Sequence, residues 1–557
     1  MSIKEESEHK WKNRWVTVLI ILIFTGASII STNQYHYGIL DHSIVIPFLK
    51  SSLSHNLYPD DLLLTQKPFY YTYLWSLCAL LIKIFNIPIP LLFFAGYCAS
   101  LFFIFLGTYL IGKLLFGKRE VAFLSLFFLL FNIKTFAGGI TLDNIFLARD
   151  AALPLLIFSV YFFLKEKYLY SSLLQGIGFL IHPMTAAYFI IMQGATLLFS
   201  VKYVGIKKIA GYSLVLLIAS SPILIWRYLY HPPSMNFINA GTQWLELLRL
   251  RSSHHFFPFS WTKDVTIRAA LLLCLFFITW KHKPQVYHQR MIEIFVVAIL
   301  VMCLAGVIFS EWIPVSIILN FQLLRSFTFI YFIVAIYYSN FFVTEFFIRR
   351  NIFYVLIITL LSLGILYGAS GWKYAAITFF IFLLCLTIYR AVAGKEQLPA
   401  KYFISILLLT VAAISSVIYM RHRDFTINNI QEKQWLNMQM WVKGNTISNT
   451  VFIVPPYLEG FRVESERTVY ADWKDGTLLN FNPAFGLEWL RRMEKLGYEK
   501  NSSLQDGFKG LREKNFLHVA EEISAVHSVL LVIEKDGATL NFPKLYENEK
   551  FIVYKIH

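Results

Sequence analysis

Three carboxylates lie in two segments that border apolar runs, where a partly buried acid can take part in proton transfer. Asp41 lies in YHYGILDHSIVIPF, after the first apolar run, and Asp143 and Asp150 lie in FAGGITLDNIFLARDAALP. Burial tunes the pKa of such a group, so Asp41 could act as a general base toward a hydroxyl group. An ordinary solvated or helix-capping aspartate explains Asp41 as well, and the dipole of a helix N-terminus favours Asp150.

Basic and histidine side chains near these segments could bind an anion. Arg149 lies at the lip of an apolar run, where it could clamp a phosphate through two hydrogen bonds or extend to lipid headgroups. His182 separates two short apolar runs, which makes it a functional candidate, although a helix-end histidine is the plainer interpretation. Further polar groups predicted on the same side are His42, Arg249, Arg251, His254, His255, Glu311 and Arg325. They suit an anionic ligand, although solvated loop charge explains the arginine and histidine cluster equally well.

A second group of candidates lies near the C-terminus, in PPYLEGFRVESERTVYADWKDG. Arg462, Arg467 and Asp472 flank predicted strands there, and ligands of open α/β sheets bind at the carboxyl ends of strands. The sequence contains no Walker or G-x-G-x-x-G pattern, no H-E-x-x-H and no G-x-S-x-G. A nucleotide-driven motor, a dehydrogenase and the common membrane proteases and hydrolases are therefore disfavoured.

The composition assigns the chain to the membrane. Of its 557 residues 57% are hydrophobic and only 15% are charged, well below the share of charged residues in soluble proteins. The formal net charge of +16 comes entirely from residues 1–420, because the remainder carries as many acidic as basic residues. Basic residues collect in the cytoplasmic loops of membrane proteins, so this charge reports topology and no nucleic-acid partner is expected.

Apolar runs divide the chain into four parts. These are a cytoplasmic N-terminus (1–14), a transmembrane module (15–230) with a first outer loop at 32–90, a second transmembrane module (231–420) and an extracytoplasmic domain (421–557). An apolar helix from Phe69 to Phe85 lies along the outer face, since a crossing there would break the positive-inside pattern. Thirteen crossings are predicted, at roughly 15–31, 91–114, 120–134, 150–164, 169–181, 184–200, 208–226, 266–280, 291–309, 327–346, 351–368, 374–389 and 402–420.

The C-terminal domain has the alternating pattern of a small α/β fold. β-rich runs at 451–454, 468–471, 528–533 and 551–556 alternate with helical patterns at 431–441, 487–495 and 517–523. The predicted fold class is therefore a polytopic α-helical membrane protein with a small extracytoplasmic α/β domain.

Five features together resemble the GT-C superfamily of membrane glycosyltransferases over most of residues 15–230. They are the early acidic residue of the first outer loop (Asp41), Lys67-Pro68 before a juxtamembrane helix, the turn LFGKR (115–119), the Arg149-Asp150 pair, and QGIGFLIHP (175–183) where many members have a Gly-rich run ending in Lys-Pro. Asp41-His42 replaces the adjacent acidic pair of many members. An extracytoplasmic α/β domain also occurs in several branches of the superfamily.

The resemblance implies that the chain takes a sugar from a polyprenyl-phosphate carrier and passes it to a glycan, lipid or protein acceptor with inversion. Asp41 would then be the base, and Asp143 or Asp150 a second acidic group or a metal ligand. No cofactor is certain, and the use of a divalent cation is left open. Arg149, His182 and Arg325 would stabilise the lipid-phosphate leaving group.

Two other functions are compatible with the same residues. A transporter or flippase of an anionic or lipid-linked substrate also lines its path with charged groups, and a non-catalytic scaffold could retain the fold. A transferase concentrates its polar residues at one outer site, whereas a transporter needs a polar path to the cytoplasmic side. The expected location is a bacterial inner membrane.

Overall fold

A computed structural model describes residues 3–32, 34–230, 240–281, 288–349, 352–367, 429–523, 528–537 and 540–556. The helices up to residue 367 are numbered α1 to α16 in chain order. They are Ile3–Ala27, His42–Leu53, Tyr73–Phe85, Ile89–Phe116, Arg119–Leu129, Ala148–Leu164, Tyr168–Ile181, Pro183–Phe199, Val201–Val204, Ile206–Leu229, Thr242–Phe256, Lys263–Lys281, Gln289–Val307, Ser316–Phe321, Thr328–Val343 and Ile352–Tyr367.

The long helices coincide with the apolar runs, and the chain is an integral, multi-pass membrane protein. Within the described ranges, four helical stretches are long and apolar enough to cross a membrane: Ile89–Phe116, Ile206–Leu229, Gln289–Trp312 and Ser316–Phe346. Shorter apolar helices include both members of the hairpin around His182. The number of crossings stays a prediction, and the spans predicted at 374–389 and 402–420 lie outside the described residues.

The predicted helix from Phe69 to Phe85 is wrong at its start, because α3 begins at Tyr73. The amide N–H groups of Phe69 and Tyr70 both donate to the carbonyl of Gln66, which closes a separate turn. Thr72 is extended, with φ of −138°, and this conformation interrupts the helix before Tyr73. Tyr70 therefore lies in this turn and not in α3.

Glycines account for two motifs of the bundle. Gly117 ends α4 with φ of +68°, the left-handed conformation that a helix C-terminus commonly adopts and that glycine tolerates best. Gly176 allows α7 to approach α10 closely, since a Cβ atom there would lie 2.3 Å from Cβ of Ala219. α7 thereby packs between α6 and α10, and its Gly-rich run has a packing role.

Among its described residues, the C-terminal domain contains five helices, α17 to α21, and a mixed five-stranded sheet with strand order β2-β1-β3-β5-β4. Its helices are Lys433–Asn445, Phe461–Ser465, Pro483–Lys495, Leu504–Lys509 and Glu513–Ile523. Its strands β1 to β5 are Thr450–Ile453, Thr468–Val469, Ser528–Glu534, Lys544–Glu547 and Phe551–Lys555. β1 pairs in parallel with β2 and β3, while β5 is antiparallel to β3 and β4.

Alternation along the buried strands gives the sheet two apolar faces. Val451 and Ile453 of β1 join one cluster of buried side chains, and Phe452 joins another, because successive side chains of a strand point to opposite faces. The first cluster also contains residues of α2 and α11, including Phe48 and Trp244. One face of the sheet therefore packs directly on α2 and α11 of the membrane module.

A buried ion cluster joins the same two parts of the chain. Arg462 donates from Nε to Asp61 (2.7 Å) and from Nη1 to Asp472 (3.1 Å) and Asp475 (2.9 Å). Asp61 also accepts the amide N–H of Val469 at 3.0 Å. Since Asp61 belongs to the first outer loop, that loop and the C-terminal domain lie on the same side of the bundle, as the predicted topology requires.

Candidate active site

Asp41 lies directly before α2, at the junction of the membrane module and the C-terminal domain. It occupies the N-cap position of α2 but makes no capping hydrogen bond. Instead its Oδ1 lies 2.7 Å from Nζ of Lys474, and 36% of its side chain is exposed. The structure therefore favours an ion-paired, accessible carboxylate over a helix cap.

His42 fixes the backbone next to Asp41. Its Nδ1 accepts the amide N–H of Gly38 at 3.2 Å, and its Nε2 donates to the carbonyl of Phe146 at 3.0 Å. The ring is fully buried. Both ring nitrogens are thus engaged by backbone groups, which ties the first outer loop to the segment before Arg149. Substrate binding by His42 stays a prediction, and neither ring nitrogen is free to bind a substrate.

Arg149, at the start of α6, forms a bidentate ion pair with Asp143 through Nε and Nη2. About a quarter of its side chain remains exposed, whereas Asp143 is buried. Asp150 accepts the amide N–H of Leu147 at 2.9 Å, which stabilises the first turn of α6. The carboxylate of Asp150 thus takes the structural role that a helix N-terminus predicts.

The carboxylates of Asp143 and Asp150 do not fit a site for a resident divalent cation. Among the described residues, no group of three or more His, Cys, Asp or Glu side chains is close enough to hold a metal ion. Both oxygens of Asp143 are already engaged by Arg149, and Asp150 binds the backbone. A metal ion would have to displace these partners.

Arg325 lies in the 3-10 turn Leu323–Phe327, before α15. Its Nε donates to the carbonyl of Ala137 at 3.2 Å, and its Nη2 lies 2.9 Å from Nδ1 of His255. The same carbonyl lies 2.8 Å from that nitrogen of His255. Within the described ranges, Arg325 has no carboxylate at ion-pair distance and Nη1 forms no hydrogen bond. The guanidinium is held in place by neutral groups and retains its charge for another partner.

The side chains of Asp41, Arg149, His182 and Arg325 are near enough to one another to interact electrostatically. Arg149 and Arg325 both act on Asp41 and on His182. Burial opposes ionisation of Asp41, but Lys474, Arg149 and Arg325 outweigh it and lower the pKa of Asp41 to about 2. The carboxylate is therefore ionised at neutral pH.

His182 caps α8, where its Nδ1 accepts the amide N–H of Thr185 at 3.2 Å. In the neutral ring this arrangement leaves the proton on Nε2, which can donate to a ligand. His255 is uncharged as well, since burial and the neighbouring Arg325 and His254 lower the pKa of His255 to about 2. The positive charge of the site therefore comes from Arg149, Arg325 and Lys474.

The other predicted site residues lie outside this group or are engaged elsewhere. His254 is exposed and packs on His255, with the ring centres 3.9 Å apart. Glu311 accepts from Arg249 and from the amide N–H of Phe259, which ties the segment after α13 to α11.

The candidates of the C-terminal domain are engaged in its interior. Arg467 donates to the backbone carbonyls of Lys443 and Thr446. Arg462 and Asp472 belong to the buried ion cluster, so neither side chain is open to a ligand.

Sequence reasoning missed two members of the site. It gave no role to Lys474 or to Tyr70, which packs against Phe48 and Phe481. Tyr70 interacts electrostatically with Asp41, Arg149 and Arg325. The run KPFYYTY carried a weak signal for Tyr70, whereas nothing local connects Lys474 to Asp41.

Comparison with known proteins gives one family match and several similar structures. A domain of unknown function, DUF6798, matches residues 433–496. No curated protein matches the chain. Similar solved structures are ArnT from Cupriavidus metallidurans bound to undecaprenyl phosphate (12% identity, TM-score 0.49, 98% of each chain covered) and its apo state (12%, 0.48, 99% of this chain and 98% of that one).

A third similar structure is the archaeal oligosaccharyltransferase AglB from Archaeoglobus fulgidus, in complex with an inhibitory peptide and a dolichol-phosphate. It shares 13% identity at a TM-score of 0.38, over 94% of this chain and 70% of that one. At this level of identity, the three structures describe a likeness of overall fold.

Proposed function

We propose that the protein transfers a sugar from a polyprenyl-phosphate carrier to a hydroxyl-bearing acceptor on the outer side of the membrane. The acceptor is a glycan, a lipid or a protein. The observation that carries this proposal is the presence of a carboxylate and a cation in the same site. A partly exposed carboxylate, Asp41, lies within electrostatic reach of Arg325, a cation without a carboxylate partner among the described residues. A base and an anion site are what such a transfer needs.

In the proposed step, the acceptor oxygen attacks the anomeric carbon of the donor sugar as the bond from that carbon to the phosphate oxygen breaks. The polyprenyl phosphate leaves with the bonding electron pair, and Asp41 receives the hydroxyl proton. Arg149 and Arg325 offset the charge that develops on the leaving phosphate, and Nε2 of His182 donates a hydrogen bond to it. A single displacement of this kind inverts the anomeric configuration.

Binding of the donor would also change Asp41. In the free protein Arg149 and Arg325 contribute to the low pKa of this carboxylate, which makes it a weak base. A phosphate on the two guanidiniums neutralises part of that positive field, so the pKa of Asp41 rises when the donor is bound. Asp41 thereby becomes a stronger base only when there is a sugar to transfer.

One cavity inside the described part of the bundle lacks the polar lining that a transport path needs. The space between α4, α6, α8, α13 and α15 is lined mainly by apolar side chains, with Thr108 and Tyr337 as the polar exceptions. A transporter would need polar groups along a route to the opposite side. The charged residues described above instead gather near the C-terminal domain, which favours transfer at one face.

Replacing Arg325 should weaken binding of the lipid phosphate. We expect Arg325→Gln to lower the affinity for undecaprenyl phosphate by about 10- to 100-fold, since a hydrogen bond to a charged group contributes about 1.5–3 kcal/mol. Arg325→Lys should retain only part of the affinity, because it keeps the charge but loses the two-donor geometry of the guanidinium. Native mass spectrometry of the purified protein measures the binding. Arg290→Gln, an exposed change at the start of α13, is the matched control. Equal affinities of Arg325→Gln and the control would remove Arg325 from the phosphate site.

Chelation should leave the reaction intact. The carboxylates nearest the proposed phosphate site already have cationic or backbone partners, so we propose that transfer proceeds without a resident divalent cation. Treatment with EDTA, followed by assay with and without added Mg²⁺ or Mn²⁺, should give the same rate of consumption of the lipid-linked sugar. A rate that falls with EDTA and recovers with one of these ions contradicts the proposal.

A further inference from the structure

Lys474 comes from the C-terminal domain, inside the segment that the DUF6798 family covers, and reaches the membrane module. Its Nζ lies 2.7 Å from Oδ1 of Asp41, and only 16% of its side chain is exposed. Oδ2 of Asp41 accepts no hydrogen bond from the described part of the chain. The carboxylate is therefore held by one oxygen and presents the other.

The turn around Lys474 is closed by its two acidic neighbours. The amide N–H of Asp475 donates to Oδ1 of Asp472 at 2.9 Å, and the amide N–H of Asp472 donates to Oδ2 of Asp475 at 3.1 Å. Arg462 binds both carboxylates from the inside of the domain. Lys474 thus projects from a turn that the buried ion cluster holds rigid.

The membrane module holds the same turn from its other side. Arg251 of α11 donates to the carbonyl of Trp473 at 3.1 Å and to Oγ1 of Thr477 at 3.2 Å. Within the C-terminal domain, the indole N–H of Trp489 donates to the carbonyl of Asp472 at 2.9 Å. Residues on both sides of Lys474 are therefore fixed by contacts that do not involve its ammonium group.

We propose that Lys474 is a positioning residue that the C-terminal domain supplies to the active site, where it orients Asp41 and keeps Oδ2 directed to the acceptor. The assignment of a catalytic role to Asp41 rests on the proposed function. The C-terminal domain is then part of the catalytic unit, and the enzyme is incomplete without it.

A purely structural bridge is the alternative, and a second ion pair between the same two parts of the chain provides the comparison. Lys50 of α2 lies 2.8 Å from Glu466 of the C-terminal domain and is 14% exposed, close to the exposure of Lys474. It also donates to the carbonyl of Val463 at 2.6 Å. Lys50 thus links the domains in the same way as Lys474 but does not touch Asp41.

Labelling of Asp41 tests the proposal without any assay of transfer. A carbodiimide reacts with protonated carboxyl groups: the carboxyl oxygen adds to the carbodiimide carbon and the proton passes to the carbodiimide nitrogen. Peptide mass spectrometry of the full-length protein measures the modified fraction of Asp41 across acidic pH. Lys474→Met removes the charge that lowers the pKa of Asp41, and each unit of increase in that pKa raises the protonated fraction about tenfold. We expect faster labelling of Asp41 in Lys474→Met and wild-type labelling in Lys474→Arg and Lys50→Met.

Several charged or titratable groups act on or adjoin Asp41. The size of the change in labelling measures how much of the shift in the pKa of Asp41 is due to Lys474. These groups are Lys474, Arg149, Arg325, Arg251, His255, His42, Tyr70 and Glu459. Of these groups only Lys474 differs between Lys474→Met and the wild type, so the comparison isolates the contribution of Lys474. Equal labelling in Lys474→Met and wild type would overturn the proposal.

The pH dependence of transfer gives the second readout. The acid limb of kcat/KM should move to higher pH in Lys474→Met and stay in place in Lys50→Met, while both variants keep the wild-type unfolding temperature. A shift of equal size in both variants would mean that the bridge is only structural. If the wild-type protein transfers no sugar, the proposed function fails, and the labelling result still decides whether Lys474 controls Asp41.

Discussion

Asp41→Asn should reduce sugar transfer by about 10²- to 10⁴-fold, the usual contribution of a positioned general base. The amide keeps the shape of the side chain but cannot take the hydroxyl proton. It also loses the charge that pairs with Lys474. Consumption of polyprenyl-phosphate-linked sugar by purified protein, measured beside binding of undecaprenyl phosphate, separates chemistry from binding. We expect the rate to fall and the affinity to stay near that of the wild type.

The matched control is Asp536→Asn, because Asp536 is 71% exposed on the C-terminal domain and pairs there with Lys509. This variant should transfer sugar at the wild-type rate. Unchanged turnover in Asp41→Asn would remove Asp41 as the base. Loss of turnover in both variants would point to damage to the protein and not to the reaction.

Arg462→Met should be the most destabilising single change of the C-terminal domain. The arginine is the only cation in contact with the buried carboxylates of Asp61, Asp472 and Asp475 among the described residues. Removing one partner of a buried ion pair costs about 3–5 kcal/mol, because an uncompensated charge is left in the interior. Thermal unfolding of the detergent-solubilised protein measures the loss. Arg491→Gln breaks an exposed pair with Glu488 and should cost about 1 kcal/mol or less.

The deficit of Arg462→Met should grow as the pH rises. Burial already raises the pKa of Asp475 in the wild type, with Arg462 acting against it and Asp472 and Asp61 adding to it. Without the arginine that opposes this shift, Asp475 binds its proton more tightly in the folded state than in the unfolded state. Such groups stabilise the folded state below their unfolded pKa and lose that contribution as the pH rises through the folded pKa. A difference in unfolding temperature that is independent of pH would contradict this account.

Local pattern was enough to predict most of the helices and four of the five strands. A long apolar run has few alternatives to a helix in a membrane, because its backbone must form its own hydrogen bonds there. The helices α4, α10 and α13 are therefore predicted from composition alone. The strand Lys544–Glu547 was missed because it is a short, mostly exposed edge strand without apolar alternation. The start of α3 was missed because the turn before it depends on hydrogen bonds to Gln66.

Sequence reasoning selected part of the candidate site for a related reason. Asp41, Arg149 and Arg325 stand out because charged residues are costly beside apolar runs and are therefore informative there. The same reasoning also selected Glu311 and His42, which the structure places in hydrogen bonds to the backbone. Spacing along the chain cannot distinguish a polar group that faces a ligand from one that ties two loops together.

The sequence by itself determined that this is a polytopic membrane protein with an α/β domain at its end, because hydropathy and strand alternation are local properties. Only the tertiary structure decided that Asp41 pairs with Lys474, that Arg462 joins Asp61 to the C-terminal domain, and that Arg325 keeps no carboxylate partner within the described residues. These pairings connect residues hundreds of positions apart. Their geometry is set by packing of the sheet on α2 and α11, which no short stretch of sequence encodes.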